Sequence, residues 1–168
     1  MLKNLKWSKT QITAICLCLL MVLPALIHAK DLKSGIRGCG GNHFKRTDPN
    51  EAHTTKYTLR NYNLTETLLI SVIVIFDGNG SILFSGLPGG TFKSRLAPAQ
   101  STSFTSGDVL ESFLPESDQP IQTYIVWQTE SGNLAESLGG GCVRRVRDIT
   151  TKKEISRHHS DCRNLELF

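Results

Sequence analysis

The sequence lacks the short motifs that mark the common enzyme classes. It contains no G-x-S-x-G nucleophile elbow, no glycine-rich phosphate loop ending in Lys-Ser/Thr, no H-E-x-x-H motif, and no S-x-x-K with its partner motifs. Serine, histidine and aspartate occur, but their spacing selects no catalytic triad. We therefore expect a protein that is not an enzyme and that uses no cofactor.

The chain also has little net charge once its first 29 residues are set aside. The 168 residues contain 19 basic and 15 acidic side chains, a formal charge of +4. Three of the lysines (Lys3, Lys6 and Lys9) lie in the first 29 residues, which contain no acid. The remainder is nearly neutral, which argues against a nucleic-acid-binding protein. Aromatic residues at 7% and charged residues at 20% are typical of a folded soluble domain.

Residues 1–29 have the three parts of a secretory signal. The lysines precede an apolar run over residues 12–27, and Ala29 supplies a small residue before a cleavage point. The run is shorter than the ~20 residues that span a bilayer. The sequence predicts export to the periplasm or beyond, with no transmembrane segment after cleavage. An uncleaved anchor is the alternative; lipid attachment at Cys16 or Cys18 is disfavoured because bulky residues precede both.

Loss of the signal leaves an odd number of cysteines. Cys39, Cys142 and Cys162 remain, so at most one intramolecular disulfide forms in an oxidising compartment. A hairpin turn centred on Lys152 places Cys142 opposite Cys162, and we predict that these two form the disulfide. The same register sets two arginines opposite each other, which is unfavourable. Bridges from Cys39 to either other cysteine, and no bridge at all, stay open.

Residues 30–56 show no clear periodicity. Several glycines and an Asp-Pro pair punctuate the stretch, and both are typical of turns and coil. We predict an extended, loosely structured N-terminal arm here. It is expected to pack on the edge of a domain that spans residues 57–168.

From Tyr57 onward the composition is typical of β-strands. Residues 67–76 (TLLISVIVIF) are β-branched or aliphatic on both alternating faces, which indicates an interior strand. Residues 77–80 (DGNG) are a strong hairpin signal because they tolerate positive φ. Pairing across that turn is expected to set Ile75 opposite Ile82.

The second half of the domain carries two more strand patterns. Residues 122–129 (QTYIVWQT) predict a strand with Ile125 and Trp127 in the core, and residues 142–149 predict a strand with a basic outer face. Capping-box spacing favours a short helical insertion over residues 108–114. Together these elements predict an all-β fold, an immunoglobulin-like antiparallel β-sandwich of about seven strands.

Four segments carry a resemblance to a known group of proteins. Residues 59–61 (LRN), 75–80 (IFDGNG), 96–104 (LAPAQSTSF) and 124–127 (YIVW) occur in this order. In this respect the chain resembles small exported bacterial β-sandwich proteins of uncharacterised function. The resemblance covers about residues 57–129. It implies an immunoglobulin-like fold and an envelope location, and it assigns no catalytic residue.

Sulfur and nitrogen ligands near both ends of the mature chain suggest an alternative function. Cys39 and His43 form one group, and His158, His159 and Cys162 form another. Thiolates and imidazoles suit zinc or copper, so the alternative is a metal-binding or redox protein. Adjacent histidines in a strand point to opposite faces, which argues against a site that uses both.

Basic residues are concentrated towards the C-terminus. Such a gradient would suit an anionic surface such as lipid headgroups or polysaccharide. Arginines on an edge strand also discourage edge-to-edge pairing, and we favour this second interpretation. The basic residues are Arg144, Arg145, Arg147, Lys152, Lys153, Arg157 and Arg163.

These observations predict an exported, non-catalytic β-sandwich module. Its expected role is binding or assembly in the cell envelope, with an envelope protein, a glycan or a lipid surface as partner.

Overall fold

A computed structural model describes residues 33–129 and 137–167 of the chain. The predicted signal at residues 1–29 lies outside the described residues. The described residues form eleven β-strands: β1 (Lys33–Gly41), β2 (Phe44–Arg46), β3 (Glu51–Asn61), β4 (Leu68–Phe76), β5 (Ile82–Gly86), β6 (Arg95–Leu96), β7 (Ser101–Thr105), β8 (Ile121–Thr129), β9 (Leu138–Asp148), β10 (Glu154–Asp161) and β11 (Arg163–Leu167). Two 3-10 turns, Ser106–Asp108 and Glu116–Asp118, complete the secondary structure of this part of the chain.

The strands form two antiparallel sheets, as the all-β prediction required. Sheet A has the order β11-β1-β8-β4-β5, with β6 also paired to β4. Sheet B has the order β10-β9-β3-β2, with β7 also paired to β3. Seven strands, β3 to β9, lie between residues 51 and 148, and β1, β2, β10 and β11 extend the two sheets. No helix in the described ranges has the length and apolar character needed to cross a membrane.

The core lies between the sheets and is built from alternate residues of their strands. Sheet A contributes Ile125 and Trp127, both fully buried, as predicted. Sheet B contributes Tyr57 and Leu59, which are also fully buried. The Thr123 hydroxyl donates a hydrogen bond of 2.8 Å to the Tyr57 hydroxyl oxygen, so the buried tyrosine is satisfied across the two sheets.

The predicted loose N-terminal arm is wrong. Residues 33–41 form β1, which lies inside sheet A between β8 and β11, and residues 51–56 begin β3. The glycines that suggested coil permit close packing instead. A Cβ atom at Gly38 would lie 2.7 Å from Leu165 Cδ1, and one at Gly41 would overlap the Tyr57 hydroxyl. Small residues are required here because neighbouring side chains fill the space that a Cβ would occupy.

The hairpin predicted at residues 77–80 is present, but its register differs. Ile75 pairs with Phe84 rather than with Ile82, and Phe76 pairs with Ile82 across a register shift. The cause is a longer loop stabilised by Asp77. Its Oδ1 atom accepts hydrogen bonds from the backbone N–H groups of Asn79 (2.9 Å) and Ser81 (2.8 Å).

The helical insertion predicted over residues 108–114 is reduced to a single 3-10 turn that ends at Asp108. The Asp108 carboxylate accepts the Thr105 backbone N–H at 2.6 Å, so it closes the turn rather than starting a longer helix. The chain beyond it continues through bends to Leu114, which forms an isolated bridge with Phe44 and donates its N–H to the His43 carbonyl at 3.0 Å. Tertiary pairing therefore overrides the local helical pattern.

Candidate binding site

The outer face of sheet A carries apolar side chains where water-facing polar ones are usual. In β4 the core-facing residues include Ile70 and Ile73, and a register shift at Ser71 turns Val72 and Val74 outward. Both outward valines are half-buried. The sequence pattern indicated an apolar second face for this strand, and the structure leaves that face open.

Val74 and outward residues of the neighbouring strands line a groove of about 690 Å³, here called the apolar groove. Such a volume lies within the range of small-molecule sites. Three strands form its floor, and the hairpin turn after β4 closes one end. Its lining residues are Ile36, Val74, Phe76, Asp77, Gly78, Asn79, Gly80, Gln122, Tyr124 and Val126.

The closed end of the apolar groove is held in place by contacts outside sheet A. Gly78 donates its N–H to the Asp118 carbonyl at 2.9 Å, and a Cβ at Gly78 would lie 2.9 Å from the Gln119 carbonyl oxygen. Phe76 and Tyr124 meet edge to face with ring centroids 5.4 Å apart. The groove is therefore preformed by packing of the turn and of the aromatic pair.

The disulfide joins different cysteines from those predicted. Cys39 in β1 is bonded to Cys162, with Cα atoms 4.5 Å apart, and Cys142 is a buried free cysteine. The predicted Cys142–Cys162 bridge fails because the β9–β10 register shifts between Glu154 and Ser156 and sets Ser160 opposite Cys142. The Cys142 Sγ atom lies 3.0 Å from the Ser160 hydroxyl oxygen.

The five residues proposed as metal ligands do not gather at one place. Cys39 and Cys162 are joined in the disulfide, and His43 is buried 2.9 Å from the Ser106 hydroxyl. His158 and His159 are exposed on β10. Over residues 33–129 and 137–167, no three His, Cys, Asp or Glu side chains are arranged to hold a metal ion. Burial lowers the pKa of His43, opposed by a backbone hydrogen bond at Ser112.

Comparison with known proteins adds little to this geometry. No family model matches the chain. No curated protein matches it either. Among solved structures, the chain is similar to the one titled "Crystal Structure of Thermotoga maritima 1070", at 8% identity and a TM-score of 0.39. That match covers 78% of this chain and 92% of the other. A likeness at this level carries no argument about fold or function.

Sequence reasoning missed a buried polar cluster beside β2. Ser106 is fully buried, and its hydroxyl accepts the Thr55 backbone N–H at 3.1 Å while contacting His43 Nδ1 at 2.9 Å. The His43 ring stacks on Phe113 with centroids 4.6 Å apart. A serine and a histidine in contact suggest nucleophilic chemistry, but this hydroxyl is enclosed and already accepts a backbone hydrogen bond. The cluster therefore holds the 106–114 segment on sheet B.

The predicted C-terminal basic cluster divides into paired and unpaired arginines. Glu154 lies 2.8 Å from Arg157 Nε and 3.9 Å from Arg145 Nε, across the β9–β10 pair. This carboxylate offsets the repulsion between Arg145 and Arg157, which are directly opposed. Arg157 on β10 and Arg163 on β11 lie on edge strands, as the favoured interpretation of the basic cluster requires. The arginines of β9 do not, because β9 lies between β10 and β3.

Proposed function

We propose that this chain is an exported, non-catalytic β-sandwich module that binds an apolar component of the cell envelope in the apolar groove. The observation that carries the proposal is the row of half-buried apolar side chains on the outer face of sheet A. Contiguous apolar surface on an otherwise solvated sheet face is a usual mark of a binding site. We also assign the sandwich to the immunoglobulin-like type, supported by two antiparallel sheets and by the seven strands between residues 51 and 148.

The groove favours a small apolar ligand over a large protein partner. Its volume of about 690 Å³ matches a single ligand, and the turn at residues 77–80 closes one end. The groove presents the polar side chains of Asp77 and Asn79 at this closed end, while most of its floor is apolar. This combination is typical of sites that bury the body of a ligand and orient one polar end.

The binding proposal is tested with a neutral apolar dye, N-phenyl-1-naphthylamine, added to the exported protein. We expect saturable fluorescence enhancement with one site per chain. Val74→Asp, which places a charge on the groove floor, should weaken binding by about tenfold or more. Leu64→Asp is the matched control, because Leu64 is 79% exposed and lies outside the groove. Dye binding that is absent, or equal in both variants, contradicts the proposal.

The export proposal is tested separately by expressing the full chain and fractionating the cells. We expect the protein outside the cytoplasm, with a mass that corresponds to loss of residues 1–29. Retention of the whole chain in the membrane fraction would instead support an uncleaved anchor. Retention in the cytoplasm would contradict export.

A further inference from the structure

A second cavity adjoins the apolar groove and, unlike the groove, has two arginines among its lining residues. It measures about 450 Å³ and lies where β1, β8, β9 and β11 meet. Arg144 and Arg163 reach it from β9 and β11, and we call it the arginine pocket. None of the described residues that line it is acidic. Its remaining lining residues are Gly38, Cys39, Gly40, Pro120, Ile121, Gln122, Thr123, Tyr124 and Leu165.

We infer that the arginine pocket binds an oxyanion, a phosphate or a carboxylate, through Arg144 and Arg163. Both arginines line this cavity, and guanidinium groups are the planar donors that such anions prefer. The inference concerns a site distinct from the apolar groove and does not require the groove to bind anything.

Arg144 is held in an unusual position for a charged side chain. It shares the core-facing side of β9 with buried Cys142 and pairs with fully buried Thr55 in β3. Its Nε atom is buried and has no hydrogen-bond partner among the described residues. Placing a cation in such a position is unfavourable unless a partner compensates it. A bound anion would supply that compensation.

The pocket arginines differ from their neighbours in how they are paired. Arg145 and Arg157 contact Glu154, and Arg46 contacts Glu116. Arg144 and Arg163 form no ion pair with any acidic side chain in the described ranges. In the C-terminal hairpin, Glu154 therefore pairs with Arg145 and Arg157. Arg144 and Arg147 of β9 and Arg163 of β11 have no such partner among the described residues, and of these three only Arg144 and Arg163 line the arginine pocket.

Glycines keep the floor of the arginine pocket open. A Cβ at Gly40 would lie 3.0 Å from the Arg144 Nη2 atom, so any larger residue there would press on the guanidinium. Gly40 and Gln122 are directly opposed in the β1–β8 ladder. Close backbone approach to a ligand is one of the uses of glycine within a strand.

The two cavities are neighbours, since Gln122 and Tyr124 line both of them. The Tyr124 hydroxyl donates to Gln122 Oε1 at 2.8 Å, which fixes this pair at the boundary. An oxyanion carried on an apolar tail would place its head at the arginines and its tail in the groove. This tail assignment rests on the proposed function, whereas the oxyanion site stands without it.

Two ligands separate the two ideas: inorganic phosphate and decyl phosphate, titrated calorimetrically into the exported protein at low ionic strength. We expect Arg144→Gln to weaken binding of both by about tenfold or more, as expected for loss of a charge-assisted hydrogen bond. Arg147→Gln is the matched control, because Arg147 is exposed on the same strand and does not line the pocket. Equal weakening in Arg144→Gln and Arg147→Gln would show non-specific attraction and would overturn the site.

Two further variants control for loss of folding and distinguish a free phosphate from a phosphate carried on an apolar tail. Arg163 is exposed, so Arg163→Gln should leave the fold intact and still weaken phosphate binding by several-fold. Unchanged phosphate affinity in this variant would contradict its assigned role. Val74→Asp should weaken decyl phosphate but not inorganic phosphate if the tail lies in the groove. If decyl phosphate binds no more tightly than phosphate, the tail assignment fails while the oxyanion site stands.

Discussion

The two sheets present very different outer faces to solvent. In sheet B the residues that face away from the core are polar or charged, as Thr54, Lys56, Thr58 and Arg60 are in β3. In sheet A the outward positions of β4 and β8 include half-buried apolar and aromatic residues that line the apolar groove, namely Val74, Phe76, Tyr124 and Val126. Both sheets alternate inward and outward side chains in the same way. We therefore look for the binding function on the outer face of sheet A, where apolar side chains replace the usual polar ones.

The largest effect on the free energy of unfolding is expected when the disulfide that links β1 to the C-terminal segment is removed. The Cys39–Cys162 disulfide spans 123 residues of sequence. In the chain-entropy model, its loss in a Cys39→Ser, Cys162→Ser double variant lowers the free energy of unfolding by about 5 kcal/mol. Urea unfolding would measure this change. Cys142→Ser is the control, with an expected loss of about 1 kcal/mol; comparable losses would indicate that Cys142 forms the bridge.

Neighbouring residues of β8 allow the inner and outer faces of sheet A to be compared directly. Trp127 is fully buried in the core, whereas Val126 faces the groove and is half-buried. We expect Trp127→Ala to lower the free energy of unfolding by about 4 kcal/mol and Val126→Ala by about 1 kcal/mol, because only the first opens a large cavity. Relative to the stability that each variant loses, Val126→Ala should weaken dye binding more than Trp127→Ala does. Equal stability losses would mean that the outer face of sheet A is part of the core.

Exchanging a polar and an apolar residue between the two outer faces should change dye affinity while leaving the free energy of unfolding nearly unchanged. Val74→Thr on sheet A and Thr58→Val on sheet B are both outward-facing strand substitutions. Each is expected to change the free energy of unfolding by no more than about 1 kcal/mol. Only Val74→Thr should weaken binding of the neutral dye, and Thr58→Val should create no new dye site. Loss of dye binding in both variants would show that the dye reports general surface polarity.

The sequence predicted the strands whose alternation is strong and missed those whose role depends on distant partners. β4 and β8 follow from runs of β-branched and aromatic residues, and the buried positions of Ile125 and Trp127 are confirmed. β1 was missed because its glycines have no side chains to show a period. Their function becomes visible only when Leu165 and Tyr57 occupy the space above them.

The candidate site was harder to predict from the sequence, because its geometry depends on the register in which the strands pair. A two-residue difference in the β9–β10 pairing redirected the disulfide from Cys142 to Cys39. The apolar second face of β4 was visible in the sequence, but that pattern predicts burial in both sheets and ligand sites alike. The unpaired state of Arg144 depends on which arginines Glu154 reaches, and a single strand does not reveal this.

The smallest expected effect concerns the charges on the exterior of sheet B. Hydrogen bonding to Arg157 lowers the pKa of Glu154 below its ordinary value of 4.5, and the charges of Arg157 and Arg145 act in the same direction. The folded protein therefore binds this proton less tightly than the unfolded chain does. The resulting stabilisation is present above pH 4.5 and is lost as the pH falls through the lowered pKa.

Glu154→Gln should therefore destabilise the protein slightly at pH 7 and by a smaller amount at acid pH. Asp148, whose pKa is lowered mainly by the Thr151 backbone N–H, titrates in both proteins, so it cancels in the comparison. Because Glu154 and its nearest partner Arg157 are exposed, added salt should shrink the difference further. Urea midpoints measured at both pH values would check this. If the difference in urea midpoint between the two proteins grows at acid pH, the ionised Glu154 carboxylate is unfavourable in the folded state. The ion pair with Arg157 would then not stabilise sheet B.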